Sequence, residues 1–164
     1  MFFIHATKKL LDRVKPPVTA TVEHPTTALG NWYATALFWK PQLALLVNEQ
    51  TLLPVLMPLA PAATLAERFP QQLALVLAAH GVSQEFITAE LAQMTKARFA
   101  KTDSRSVVGV MNQFAYLAEG YREYLGAHDL LTLSLKLAGT PCSPLYKRSI
   151  SPDRQLKAVV NQWQ

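Results

Sequence analysis

Two short stretches of the sequence place hydroxyl and cationic side chains where a predicted strand gives way to a predicted helix. Thr7 precedes Lys8 and Lys9 in the first stretch, and residues 102–106 place three hydroxyl side chains around Arg105 in the second. A cation in the first turn of a helix costs a few tenths to about 1 kcal/mol. Free backbone N–H groups, hydroxyls and a cation are, however, the groups that bind phosphate or carboxylate at a helix N-terminus. Both stretches are therefore candidate anion sites, with capping hydroxyls and solvated cations as the alternative.

The helix predicted to follow Arg105 carries a glycine on its polar face. Arg105, Gly109 and Asn112 share this face because they are four and three residues apart. A glycine inside a helix costs about 1 kcal/mol relative to alanine, so Gly109 needs a reason. Its small size suits the close approach of a ligand or, equally, of another helix backbone.

Together these patterns predict one set of ligand-binding residues. The set is His5, Thr7, Lys8, Lys9, Lys101, Thr102, Arg105, Ser106, Gly109 and Asn112. The two stretches form one binding face only if the strands that precede them are neighbours in a sheet.

Signatures of known catalytic centres are missing from the sequence. His5, His24, His80 and His128 stand far apart without metal-ligand spacing, so neither a metal nor another cofactor is predicted. There is no GxGxxG, GxxxxGK[ST] or GxSxG motif. The single cysteine, Cys142, lies between two prolines and is interpreted as a structural thiol, since a nucleophile would need a base such as His5 or His128 beside it.

Basic residues are concentrated in two parts of this chain of 164 residues, whose formal net charge is +5. Residues 1–15 and residues 96–105 each carry four basic side chains against one acidic side chain, whereas residues 16–95 carry two against five. If the two basic segments meet in the fold, they create a positive surface that attracts phosphate or nucleic acid. The alternative is that they merely solvate separate faces.

Composition limits the class of protein. Half of the residues are apolar, so the chain can bury a core without disulfides or metals, and we expect a single globular domain over residues 1–164. The longest apolar run, residues 52–63, contains three prolines and is too short to span a membrane. No basic region precedes the short apolar start, and one cysteine cannot form an internal disulfide, so we expect a cytoplasmic protein without membrane association.

The elements that position the candidate residues are a sheet formed early and helices formed later. Apolar runs predict strands at residues 2–6, 42–47, 52–59 and 97–101, the second and third forming a hairpin. Spacing of three and four predicts helices at residues 8–14, 64–80, 84–94, 105–124, 130–137 and 154–163. This pattern predicts an α+β fold with a small mixed or antiparallel sheet and an early β-hairpin, packed by helices from the C-terminal two-thirds.

Several segments leave local alternatives open. Residues 31–39 suit a strand or a helical turn, residues 20–23 suit a short strand, and Pro70 would kink or split its helix. Pro54 and Pro58 cannot donate ladder hydrogen bonds, so they push the return strand of the hairpin to a sheet edge or break it.

Four motifs of the chain carry a family resemblance. They lie at residues 5–11 (HATKKLL), 29–34 (LGNWYA), 46–49 (LVNE) and 101–112 (KTDSRSVVGVMN), with weaker echoes at 140–142 and 151–153. With these motifs the chain resembles a family of uncharacterised bacterial proteins, domain of unknown function 6933, from residue 1 to about 120. The resemblance implies no reaction, because the family has no established activity, but it supports the candidate residues within 101–112.

Three functions remain open at this point. The leading expectation is a binding protein whose basic, hydroxyl-rich face recognises a phosphate-bearing ligand, nucleic acid above all, through contacts to phosphate. The first alternative is a small enzyme that acts on a phosphorylated or carboxylated metabolite, with Arg105 as anion clamp and His5 as general base. The second is an interaction module that binds a protein partner, or its own copy, through Leu52 to Pro61.

Overall fold

Residues 1–125 and 129–163 are described by the computed structural model, and within them the chain forms five strands and six α-helices. The strands are β1 (Phe2–Ala6), β2 (Trp32–Leu37), β3 (Leu43–Asn48), β4 (Pro54–Pro58) and β5 (Ala97–Lys101). The helices are α1 (Lys8–Val14), α2 (Leu65–Ala79), α3 (Gln84–Gln93), α4 (Arg105–Leu125), α5 (Leu130–Ala138) and α6 (Pro152–Gln162). The α+β class is confirmed.

The strands form one mixed sheet in the order β4-β3-β2-β1-β5. β1 is parallel to both of its neighbours, and its register sets His5 opposite Tyr33 of β2 and Ala100 of β5. β2, β3 and β4 pair antiparallel, so the predicted hairpin is confirmed as β3 and β4, and β4 is the edge strand that its prolines predicted. Residues 31–39 contain a strand rather than a helical turn.

Each face of the sheet carries its own hydrophobic core. On the first face, Ile4 and Trp32 pack with Leu10 of α1 and Phe69 of α2. On the second face, residues such as Leu45 pack with the apolar stripe of α4, which the three- and four-residue spacing predicted. The helices that follow the neighbouring strands β1 and β5 therefore lie on opposite faces of the sheet.

The segment proposed as an interaction surface is instead used inside the chain. Of the residues from 52 to 61, only Pro58, Ala60 and Pro61 are exposed. α5 packs across β4, and the Ser134 hydroxyl accepts a hydrogen bond from the Leu56 N–H at 3.0 Å. The apolar side chains that a partner would need to contact are therefore already buried in the core.

Some local expectations are wrong. Residues 20–23 form no strand; the nearby chain pairs with β5 only through a single bridge from Val18 to Phe99. Pro70 does not split α2, which runs without a break from Leu65. The Thr7 hydroxyl does not cap α1. His128 lies outside the described residues. No helix in the described ranges is long and apolar enough to cross a membrane.

Candidate functional site

The carboxyl ends of three parallel strands, β1, β2 and β5, meet at one edge of the sheet. Ala6 pairs with Lys101, so the two predicted anion stretches, which start at Thr7 and Thr102, are neighbours. α1 and α4 leave this edge on opposite faces of the sheet, as helices do at the topological switch point of open sheets where ligands bind. We call this region the carboxyl edge.

A buried aromatic pair forms the floor of the carboxyl edge. The imidazole of His5 stacks on the Tyr33 ring with centroids 4.6 Å apart and planes 19° apart. Tyr33 donates a hydrogen bond from its hydroxyl to the Asp103 carboxylate, which lies 4.0 Å from His5 Nδ1. Burial, reinforced by Asp103, raises the pKa of Tyr33, so its phenol stays protonated and acts as a donor.

The orientation of His5 defines its chemistry. Its Nδ1 lies 2.9 Å from the carbonyl oxygen of Lys101, an atom that can only accept a hydrogen bond. Nδ1 must therefore carry the proton, which leaves the lone pair of the neutral ring on Nε2. A histidine held in this way is suited to accept a proton at Nε2.

Hydroxyl and cationic side chains at the start of α1 lie beside the His5–Tyr33 pair. Thr7 and Thr35 share a hydrogen bond between their hydroxyls at 2.8 Å. Lys8 and Lys9 are exposed, and Lys9 Nζ lies 5.9 Å from the centroid of the exposed Phe38 ring. Phe38 therefore lies outside the core.

A hollow of about 450 Å³ lies against the first turns of α4, and we call it the Arg105 hollow. It is lined by Thr102, Asp103, Ser104, Arg105, Val108, Gly109 and Asn112. A Cβ atom added to Gly109 would meet nothing within 4 Å among the described residues, so no neighbouring helix in that part of the chain accounts for the glycine. Four of the predicted site residues thus share one concave surface, while Lys101 is exposed beside them and Ser106 is exposed outside the lining.

The other side of the α4 N-terminus holds a second polar hollow of about 440 Å³, the Glu49 hollow. It is lined by Tyr33, Glu49, Gln50, Ser104, Val107, Arg148 and Gln155. Ser104 lines both hollows, and its hydroxyl accepts a hydrogen bond from the Val107 N–H at 3.3 Å as the α4 cap. Sequence reasoning missed this hollow, because Arg148 and Gln155 have no local pattern that connects them to β2 or β3.

The turn between β3 and β4 is rigidly built. The Asn48 side chain is fully buried, and its oxygen accepts hydrogen bonds from the backbone N–H groups of Gln50 and Thr51. Its amide nitrogen donates to the carbonyl oxygens of Leu29 and Asn31. Asn48 thus organises the turn, and it holds the neighbouring Glu49 in place.

Not every basic residue of the two charged segments reaches the carboxyl edge. Lys96 precedes β5 and therefore lies at the opposite end of that strand. Arg13 and Lys15 lie at the far end of α1 from Thr7. The cations at the carboxyl edge are therefore Lys8, Lys9, Lys101 and Arg105, with Asp103 as the acidic residue among them.

Neither a nucleophilic cysteine nor a metal site finds support in the structure of the described residues. Cys142 is fully buried, and burial raises the pKa of its thiol to about 11, which suits a structural role. Within the described ranges, no three histidine, cysteine or acidic side chains cluster in a way that could hold a metal ion.

The fold and the site define a class: an α+β protein with an open mixed sheet and with hydroxyl and cationic side chains at the carboxyl ends of its parallel strands. The chain belongs to the family described as Domain of unknown function (DUF6933), whose model matches residues 3–155, which confirms the resemblance. Neither the curated proteins nor the solved structures include a significant match. Three of the four motifs that carried the resemblance supply His5, Tyr33 and the Arg105 hollow at the carboxyl edge, whereas Glu49 of the fourth motif lies beside Asn31, at the amino end of β2.

Proposed function

We propose that this protein binds a phosphate-bearing ligand, nucleic acid before others, at the carboxyl edge. The observation that carries the proposal is the parallel pairing of β1 with β5, which brings two helix N-termini with their cations to the same edge. In this proposal one phosphate enters the Arg105 hollow, where Arg105 and Asn112 supply donors and Gly109 leaves room.

The exposed lysines extend the proposed interface beyond the hollow. Lys8, Lys9 and Lys101 are free to contact further phosphates of a strand, which a single small ligand would not need. The negative charge of Asp103 repels an anion, and the hydrogen bond from the Tyr33 hydroxyl offsets part of that charge. Contacts of this kind position a nucleic acid without reading its bases, so we expect little sequence preference.

A cytoplasmic location is part of the proposal. It rests on the single cysteine, Cys142, which cannot form an internal disulfide.

Binding to labelled single-stranded RNA and DNA, followed by fluorescence anisotropy at about 50 and about 200 mM salt, tests the proposal. We expect affinity to fall steeply with salt, and Arg105→Ala and Lys8→Ala each to reduce the slope of log K against log salt by about 1. Lys96→Ala removes the same charge at the opposite end of β5 and serves as the matched control. Absence of binding at low salt, or binding that neither Arg105→Ala nor Lys8→Ala weakens, would refute nucleic-acid recognition.

An enzyme acting on a small phosphorylated metabolite is the second candidate, and one observation favours it. The hydrogen bond from His5 Nδ1 to Lys101 leaves Nε2 as a base beneath the carboxyl edge. His5 does not line the Arg105 hollow, but Asp103, 4.0 Å from its ring, does. Release of inorganic phosphate from a panel of phosphomonoesters, compared between the wild type and His5→Asn, tests this candidate. Asparagine retains a donor near the position of Nδ1 but provides no base, so turnover should disappear.

A further inference from the structure

We propose that the Glu49 hollow is a second binding site, and that it takes a zwitterionic small molecule carrying one ammonium and one carboxylate group. Glu49 would accept hydrogen bonds from the ammonium group, and Arg148 would bind the carboxylate group. The proposal does not depend on phosphate binding, because these two residues lie outside the Arg105 hollow.

Glu49 is held ready to bind. Its backbone N–H donates to the Asn31 carbonyl at 3.1 Å, and its Oε1 accepts the Asn31 N–H at 2.9 Å. Gly30 makes this arrangement possible, since a Cβ there would lie 2.8 Å from Oε1. The second carboxylate oxygen, Oε2, has no hydrogen-bond partner in the described part of the chain. The side chain therefore keeps a fixed orientation while one oxygen is available, and such preorganisation lowers the entropy cost of binding.

Arg148 is the opposite charge in the same hollow. It is exposed, and among residues 1–125 and 129–163 no carboxylate lies within 4.0 Å of its guanidinium. Its backbone is fixed by the turn after Cys142, where the Arg148 N–H donates to the Leu145 carbonyl at 2.9 Å. Glu49 and Arg148 thus line one cavity without pairing with each other, which leaves both charges for a ligand with complementary ends.

The remaining lining indicates a polar, compact ligand. Gln50, Gln155 and Ser104 contribute amides and a hydroxyl, and Val107 is the aliphatic side chain among them. The Tyr33 ring is already stacked on His5, so it offers no free platform for a nucleobase on that side. These features favour a molecule of the amino-acid type over a nucleobase.

A titration of the ¹⁵N-labelled protein, followed by amide chemical shifts, measures this binding. The ligands are unbranched amino acids in which the ammonium and carboxylate groups are progressively farther apart: glycine, β-alanine, 4-aminobutanoate and 5-aminopentanoate. Butylamine and butanoate, each with one of the two charges, are the control ligands. We expect one spacing to bind best, and both single-charge controls to bind at least about tenfold more weakly.

Three variants connect that binding to the two charges. Glu49→Gln keeps an oxygen that can accept a hydrogen bond from the Asn31 N–H, and Arg148→Gln removes the guanidinium group. Each variant should bind the best amino acid of the series at least about tenfold more weakly than the wild type does. Lys147→Gln removes the same charge from the adjacent, exposed position and should leave the affinity unchanged. The chemical shift of the Asn31 amide reports whether the turn around residue 49 is intact in the Glu49→Gln variant.

Two results would overturn the proposal. One is that no member of the series shifts the amides around the Glu49 hollow. The other is that Glu49→Gln, with its Asn31 shift unchanged, binds as well as the wild type. Either result would leave the salt-dependent binding at Arg105 untouched, so failure here is distinguishable from failure of the proposed function.

Discussion

Gly109 is the residue at which stability and the proposed function make opposite demands. Helix propensity favours alanine at this position, and the space beside it is empty. The same empty space forms part of the Arg105 hollow, where any side chain would narrow the approach to Arg105 and Asn112. Among the described residues no neighbouring backbone requires this glycine, and the proposed function offers ligand access as the reason for it.

Gly109→Ala should raise the free energy of unfolding by about 0.5–1 kcal/mol and the melting temperature by about 1–4 °C. Gly120→Ala, in the same helix and with the same open space around its Cβ, should do likewise. Only Gly109→Ala should also weaken RNA binding. Urea denaturation and anisotropy measure the two effects, and equal RNA affinity for both variants would contradict the role given to Gly109.

At the scale of elements, α5 protects the sheet edge that the hairpin leaves open. β4 is the last strand of the sheet, and α5 lies across it with residues in both cores, such as Leu133 and Ala138. Ser134 replaces the missing neighbour strand at one point, because its hydroxyl accepts from the Leu56 N–H and donates to the Leu130 carbonyl. A polar residue inside an apolar helix face thus satisfies a backbone group that would otherwise be buried without a partner.

Ser134→Ala should lower the free energy of unfolding by about 1–3 kcal/mol, because it leaves the buried N–H of Leu56 unpaired. Thr132→Ala, which removes an exposed hydroxyl two residues earlier in α5, should cost less than about 1 kcal/mol. Urea denaturation of the two variants provides the comparison. Equal losses would mean that the hydroxyl of Ser134 does not protect the edge strand.

At the scale of the whole molecule, the sheet is covered on both faces, so the strands β1 to β4 are buried along almost their whole length. The return strand of the hairpin contributes Val55 and Met57 to one core and Leu56 to the other. This burial explains why an apolar, proline-rich segment is present without being an exposed docking surface.

Leu56→Asp should therefore lower the free energy of unfolding by more than about 4 kcal/mol and leave little folded protein, since Leu56 is 2% exposed. Leu75→Asp makes the same change on α2 at a leucine that is 57% exposed, and should cost about 1 kcal/mol or less. Circular dichroism with thermal melting measures both. A folded, stable Leu56→Asp protein with an altered oligomeric state would instead favour the interaction-module alternative.

Much of the fold was predictable because local signals agreed with each other. The strand at residues 2–6 and the helix at 8–14 have the predicted bounds, since an apolar run, a change of period and two prolines mark them. Part of the site was predictable for the same reason, because Arg105, Gly109 and Asn112 share a face by helical spacing alone. Tyr33 was not among the predicted site residues, although strand alternation places its side chain on the opposite face of β2 from that of Trp32.

The sequence by itself determined where most of the strands and helices lie, and that cations and hydroxyls stand at two strand ends. Only the tertiary structure decided that these ends are neighbours, because the pairing of β1 with β5 joins residues as distant as His5 and Lys101, 96 positions apart. Such pairing depends on which apolar faces pack together, a property of the whole core and not of any local pattern. The same packing places Arg148 and Glu49 in the lining of one hollow, which no pattern in the sequence predicts.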